Sequence, residues 1–251
     1  MWITVFYGTK PENTMRTTHT LPHASDGFLH FFYPEQCLAC ESSIPARGDV
    51  LCVRCNSTLP LLNYHLQKEN PFTIRFWGRL PLHSGAALFL FTKDSRVQHL
   101  LHNLKYNGQW KIGVELGRKL GWLLKASRAF GKPDVIVPVP LHERKEWMRG
   151  YNQSAMFGSG LASAMGIEHL PKALFRSAYT ETQTRKSRIE RLENVRDVFE
   201  VRQREQLAGK HVLLVDDVMT TGSTLEACAL KILEVAGTKV SMATIAIASH
   251  F

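Results

Sequence analysis

Asp216 and Asp217 stand side by side, and a turn dense in hydroxyls and glycine follows them: Thr220, Thr221, Gly222, Ser223 and Thr224. Hydroxyls and backbone N–H groups in such a turn can hold a phosphate, and a glycine lets the backbone approach it closely. The two carboxylates cannot serve that phosphate, because like charges repel. They suit neutral sugar hydroxyls or a metal ion. A phosphate and a diol held a few ångströms apart describe a ribose 5-phosphate.

Such a constellation needs a strand before it and a helix after it. Val212 to Val215 form a short apolar run, as a buried parallel strand does, and ligands of such folds gather at strand carboxyl ends. Beyond the turn, Leu225, Leu230 and Leu233 recur at helical spacing. The first N–H groups of that helix have no internal partner and attract an anion. The spacing therefore predicts strand, acidic tip, small-residue loop, helix. An ordinary turn with Ser223 or Thr224 as N-cap is the alternative, but a cap needs one hydroxyl and no acidic doublet. The whole stretch, VLLVDDVMTTGST, resembles the binding signature of type I phosphoribosyltransferases. That resemblance implies phosphoribosyl pyrophosphate with magnesium as ligand. Asp216 and Asp217 would then take the ribose hydroxyls, and Thr220, Thr221, Gly222, Ser223 and Thr224 the 5-phosphate.

A second informative segment, VPVPLHERKEWMRGYNQS, follows an apolar run from Val135 to Val139. It leaves the carboxyl end of a predicted parallel strand, so it can face the same crevice. Arg144, Lys145 and Arg149 bring positive charge, partly offset by Glu143 and Glu146. By the same resemblance, Leu141 and its neighbours would offer backbone N–H groups to the diphosphate. Arg144 or Arg149 would bind it with a guanidinium fork. A solvated basic loop is the competing reading. No motif identifies an acceptor pocket or a general base, and His99, His102, His142 and His211 are scattered.

Cys37 and Cys40 form one CxxC knuckle and Cys52 and Cys55 another, eleven residues apart. Two knuckles supply the four thiolates of a tetrahedral zinc site, and Pro45 and Gly48 between them suit a reversal. Such a closed site is structural and folds a module too small to bury a core. Two disulfides are the competing use, disfavoured in a cytosolic chain. Cys228 falls within the helix after the sugar loop and is expected to be an inert core thiol.

The other segments predict an alternating α/β chain. Residues 58–82, rich in proline, asparagine and aromatics, read as a connector packed on the main domain. Ala86 to Thr92 predict a strand. Val97, Leu100, Leu101 and Leu104 predict a helix closed by Asn107-Gly108, and Ile112, Leu116, Leu120 and Leu123 a second. Asn152 to Met165 predict a helix, Leu174 and Val198 mark short strands, and Lys239 to Ala248 the last strand. Lys105 and Tyr106 sit at a helix end, where a cation complements the dipole; an aromatic beside a basic residue can also stack a base. Trp77, Trp110 and Trp147 are candidates for stacking, with burial the expected fate.

The chain has 251 residues, with 31 Lys plus Arg against 22 Asp plus Glu and a pI near 9.4. That balance favours polyanions: nucleic acid, acidic lipid or phosphorylated small molecules. No run approaches the roughly 20 apolar residues of a membrane span. The opening MWITVFYGTK places its apolar part before its first basic residue, the reverse of a secretory signal, so the cytoplasm is the expected compartment. Residues 1–33 are expected to be a flexible segment, and Met15 offers an alternative start.

PVPL, RGYNQS, the Leu104-Lys105-Tyr106 triplet, the cysteine knuckles and the set Ser187, Arg188, Arg191, Asn194 and Phe199 occur together. In that combination the chain from about Cys37 onward resembles the ComF family of competence proteins. The resemblance implies a zinc-ribbon module and connector over 34–82, then a phosphoribosyltransferase-like α/β domain over 83–251 with a parallel sheet flanked by helices. It also implies a role in natural transformation, with single-stranded DNA and other competence proteins as partners. Arg188, Arg191 and Asn194 would form a cover over the sugar site, which excludes water during transfer, or a basic helix face.

Overall fold

In the computed structural model of the chain, residues 36–42, 50–177 and 198–248 are described, and they fall in one unit spanning Gln36–Phe251. Its centre is a sheet of five parallel strands in the order β1-β7-β6-β2-β3. The strands are β1 (Leu82–Phe91), β2 (Val135–Pro138), β3 (Glu168–His169), β6 (His211–Met219) and β7 (Lys239–Ala248). Two short strands, β4 (Leu174–Arg176) and β5 (Phe199–Val201), pair antiparallel as a separate hairpin. The expected strands and helices are thus present, from the connector to the final strand.

Alternation along β6 sorts the core into two layers. Leu213 and Val215 face one, Val212 and Leu214 the other, and all four are fully buried. On the first face lie α3 (Arg96–Tyr106), α4 (Lys111–Ala126) and α6 (Gln153–Met165). The apolar stripe of α4 is Ile112, Leu116, Leu120 and Leu124. Gly117 on α4 and Gly160 on α6 let those helices meet backbone to backbone; a Cβ on either would strike the other helix's main chain. On the second face lie α8 (Ser223–Leu233) and the short connector helix α2 (Pro71–Ile74), whose Asn70 closes a capping box with Thr73.

The order of strands creates a switch point. From β6 the chain passes through α8 to β7 on one side; from β2 it passes through α6 to β3 on the other. The carboxyl ends of β2 and β6, neighbours in the sheet, therefore open into a crevice between departing connections. The β2–β6 ladder ends at Pro138 opposite Val215, while β6 continues beside β7 to Met219. This corrects one expectation: Asp216 and Asp217 are not at the strand tip but inside β6. They reach the crevice because the neighbouring strand stops first.

Candidate sugar-phosphate crevice and cysteine cluster

Asp216 and Asp217 point to different partners, as successive strand residues must. The Asp216 carboxylate accepts the Ser154 hydroxyl at 2.8 Å and the Asp217 N–H at 2.8 Å. Burial, and then the charge of Asp217, push its pKa up to about 7. Asp217 pairs with Lys105 at 3.2 Å. Lys105 therefore does more than complement the dipole of α3. Its place at the acid pair depends on a fold contact across the sheet, which no local pattern shows.

The loop after β6 turns at Gly222, with φ +82°, and α8 starts at Ser223 with no side-chain cap. Neither Ser223 nor Thr224 is the cap: the residue at that position is glycine, and the N–H of Ser223, the first residue of α8, donates to Thr221 Oγ1 at 3.4 Å from within the loop. Thr221 Oγ1 lies 3.0 Å from Ser223 Oγ, so hydroxyls and amides share one concavity. Cys228, fully buried on α8, has its thiol pKa pushed well up by burial, in keeping with an inert core residue.

Tyr151, Asn152 and Gln153, at the end of the segment after β2, each make a side-chain hydrogen bond. The Asn152 side chain donates to Val139 O at 3.0 Å and accepts Ser154 N–H at 3.0 Å, capping α6. Tyr151 donates to Leu104 O at 2.6 Å and pins the end of α3. Gln153 accepts from Arg149 at 2.8 Å. Between them the expected loop is folded into a short helix, α5 (Glu143–Arg149), with no buried residue. Gly150 closes it in the left-handed conformation, φ +78°. Arg149 also lies over the Tyr106 ring, 5.4 Å from its centroid, next to the Lys105–Asp217 pair. The fold thus sets Arg149 over Tyr106, the neighbour in sequence of the Lys105 that pairs with Asp217, whereas Arg144, exposed on α5, has among the described residues a contact from its own N–H to His142 Nδ1 at 3.2 Å.

A cavity of about 510 Å³ lies beside this segment, between Leu141 and Asn152 on one wall and the β4–β5 hairpin on the other. There the Arg202 guanidinium sits 3.3 Å from the Phe175 ring centroid, and Gln203 Oε1 is buried with no hydrogen-bond partner among the described residues. Sequence reading missed this cavity because its walls come together only through the hairpin. Trp77, Trp110 and Trp147 are all exposed, Trp147 by 85%, which overturns their expected burial. Arg188, Arg191 and Asn194 lie outside the described residues.

The four cysteine sulfurs of Cys37, Cys40, Cys52 and Cys55 lie within 4.8 Å of one another and form no disulfide. Cys40 and Cys52 sulfurs are 3.8 Å apart. That equals the edge of a tetrahedron with metal–sulfur bonds of about 2.3 Å, so the set fits a zinc-sized ion. Ser42 hydrogen bonds bring the Cys40 thiol down to about 6, while burial pushes Cys55 up to about 12. Helix α1 (Val53–Thr58) carries Cys55, and Arg96 Nη1 on α3 donates to Thr58 Oγ1 at 3.0 Å and reaches Cys55 Sγ at 3.8 Å. Asp216 and Asp217 offer two carboxylates, the number with which magnesium is commonly held alongside substrate phosphates. Among the described residues, no helix is long and apolar enough to cross a membrane.

The phosphoribosyl transferase domain family matches residues 109–250. The chain is 26% identical to competence protein F of Haemophilus influenzae, covering 77% of this chain and 89% of that protein. It is 33% identical to the DNA utilization protein YhgH of Escherichia coli O157:H7, covering 75% of this chain and 80% of that protein. It is 32% identical to competence protein ComFC of Bacillus subtilis, covering 58% and 57%. With the transferase-type crevice, the four clustered cysteines ahead of it and relatives along most of its length, this chain belongs to the ComF family.

Proposed function

We propose that the crevice between β2 and β6 binds phosphoribosyl pyrophosphate with magnesium, and that the protein acts in the cytoplasm on imported single-stranded DNA during natural transformation. The observation that carries the ligand is the meeting, at the switch point, of an acid pair with a hydroxyl-rich loop that turns at Gly222 into a helix N-terminus. In this reading Asp216 and Asp217 take the ribose hydroxyls, residues 220–224 the 5-phosphate, and Leu141, Arg144 and Arg149 the diphosphate. Magnesium, when bound, would offset the charge of the diphosphate. Ser154 and Lys105 orient the two carboxylates towards the diol. Residues 34–82 are the zinc module and its connector, with zinc held by Cys37, Cys40, Cys52 and Cys55; residues 83–251 are the sugar-binding domain.

The DNA role is supported by the names of the relatives, competence protein and DNA utilization protein. It is also supported by chemistry: exposed Tyr106 and Trp147 stand among Lys105, Arg149 and Lys145, as base-stacking and phosphate contacts require. A labelled single-stranded oligonucleotide should be retarded at low salt and released at moderate salt. Other competence proteins are the expected further partners.

A second reading, an active phosphoribosyltransferase, is favoured by the cavity of about 510 Å³ beside Leu141 and Asn152. The Arg202–Phe175 stack and the unpaired Gln203 oxygen would suit a planar nitrogenous acceptor. Pyrophosphate release with a panel of such acceptors tests it; silence in every assay while the sugar still binds leaves a binding protein. The assignment common to both readings is tested by the double variant Asp216→Ala, Asp217→Ala. Retention of labelled phosphoribosyl pyrophosphate should fall by about 100-fold or more, with zinc content unchanged. Retention equal to the parent's would refute the site. Cys37→Ser should lower zinc content, and an unaltered content would remove the metal assignment.

A further inference from the structure

We propose that Arg75 is a positioning residue for the loop 220–224: from the connector, behind the sheet's edge, it aims the peptide groups that grip the sugar phosphate, with Phe76 and Arg79 completing the brace. The proposal rests on the reading of the crevice given above and names the machinery that keeps it in shape.

The connector is itself firmly set. The side-chain nitrogen of Asn70, 2% exposed, donates to Gln67 O and Gly85 O, each at 2.9 Å, and its oxygen accepts Phe72 N–H at 2.9 Å. Phe72 and Phe76 are fully buried in the α8-side core, ring centroids 5.9 Å apart. From this base Arg75 extends a guanidinium that donates to Thr220 O at 2.6 Å and to Ala248 O at 2.7 Å. One rigid fork thus ties the phosphate loop to the end of β7. In a trans peptide the C=O and the following N–H point in opposite directions. Fixing the Thr220 carbonyl on Arg75 therefore turns the Thr221 N–H to the far side, away from the connector. Phe76 lies directly against Gly222: a Cβ there would come within 2.9 Å of its ring.

Arg79 adds an electrostatic part. Glu226 stands in the first turn of α8, where its carboxylate would oppose an incoming phosphate. Arg79 pairs with both of its oxygens, Nε to Oε1 at 3.1 Å and Nη2 to Oε2, and donates to Arg75 O at 3.1 Å. The anion site is relieved of a like charge by a residue that never touches the ligand. Nothing in the local sequence around Arg75 signals this, because its partners lie 145 and 173 residues away.

Two measurements on the full chain test the brace. Hydrogen exchange of the ligand-free protein should show faster exchange of amides 220–224 in Arg75→Ala, with the sheet strands unchanged. Calorimetry with ribose 5-phosphate should show about tenfold weaker binding in Arg75→Ala, part of it restored by Arg75→Lys, which reaches one carbonyl, or by added guanidinium. Arg79→Ala should also weaken binding, and Glu226→Gln in that background should restore it, a rescue that a purely structural role for Arg79 does not give. Unchanged loop exchange in Arg75→Ala overturns the brace, as does loosened exchange with parental affinity. A parent protein that binds no ribose 5-phosphate, with normal exchange throughout, overturns the reading of the crevice, and the positioning role falls with it.

Discussion

The loop after β6 and the segment after β2 flank the same crevice, but they are supported in opposite ways. The first is backed by protein on its far side, through Arg75, Phe76 and the Arg79–Glu226 pair. The second carries α5, which buries nothing and is held at its two ends, by Asn152 on Val139 and by Arg149 on Gln153 and Tyr106. The difference follows from the ligand each is proposed to meet. A 5-phosphate is common to every sugar phosphate and is served by a preset anion nest, which lowers the cost of ordering on binding. A diphosphate that arrives and leaves needs a segment that can close and open, and exposed, lightly packed chain does so at low cost.

The comparison can be broken most sharply at its two left-handed glycines. Gly222 has φ +82°, and a Cβ there would stand 2.9 Å from Phe76, whereas Gly150 has φ +78° and, among the described residues, nothing within 4 Å of where a Cβ would stand. Gly222→Ala should combine backbone strain with a clash and destabilise by about 2–4 kcal/mol; Gly150→Ala should cost about 1 kcal/mol from strain alone. Denaturant unfolding checks both, and equal effects would mean that the two loops are equally free.

Next in size is the asymmetry between arginines. Arg149→Ala should weaken phosphoribosyl pyrophosphate binding by about tenfold and leave ribose 5-phosphate binding alone, because the guanidinium serves the diphosphate side. Arg144→Ala, a diphosphate contact from the exposed face of α5, should weaken phosphoribosyl pyrophosphate binding by only about threefold and leave ribose 5-phosphate binding alone. Loss of ribose 5-phosphate affinity in Arg149→Ala would place that residue on the wrong side of the crevice.

A last effect concerns protons. The folded pKa of Asp216 is raised to about 7, first by burial and then by Asp217. The native state therefore holds a proton that the unfolded chain has released above about pH 4. That contribution to stability is fully present below the unfolded value and is lost as pH rises through about 7. Asp216→Asn should thus be more stable than the parent at about pH 8, by on the order of 1–2 kcal/mol, and no more stable at about pH 4. A gain of equal size at both pH values would remove the proton from the explanation.

How much of this was legible in the sequence differs between the same two regions. Val212 to Val215, the acid pair and the hydroxyl-rich turn name a strand, a diol site and an anion nest, because each depends on residues adjacent in the chain. The helices at Val97 and Ile112, the strand ending at Ala248 and the sulfur cluster were equally readable, from apolar periodicity and ligand spacing. What escaped depends on contacts across the fold. Lys105 meets Asp217 only because α3 packs over the carboxyl end of β6. Arg75 meets Thr220 only because the connector lies against the other face. The exposure of Trp147 follows from α5 projecting from the sheet, where an apolar side chain has no neighbour to bury against. The acids fell inside β6 rather than at its tip because β7 extends the ladder past the end of β2, a length no single strand announces.

The most direct measurement is calorimetric titration of phosphoribosyl pyrophosphate, with magnesium in excess, into the full chain carrying its metal. The expected result is one site per chain with a dissociation constant of about micromolar order, abolished by Asp216→Ala with Asp217→Ala and weakened by Arg75→Ala. Heat indistinguishable from dilution, in protein whose unfolding remains cooperative and whose cysteine cluster is loaded, would contradict the central claim that this crevice holds an activated ribose.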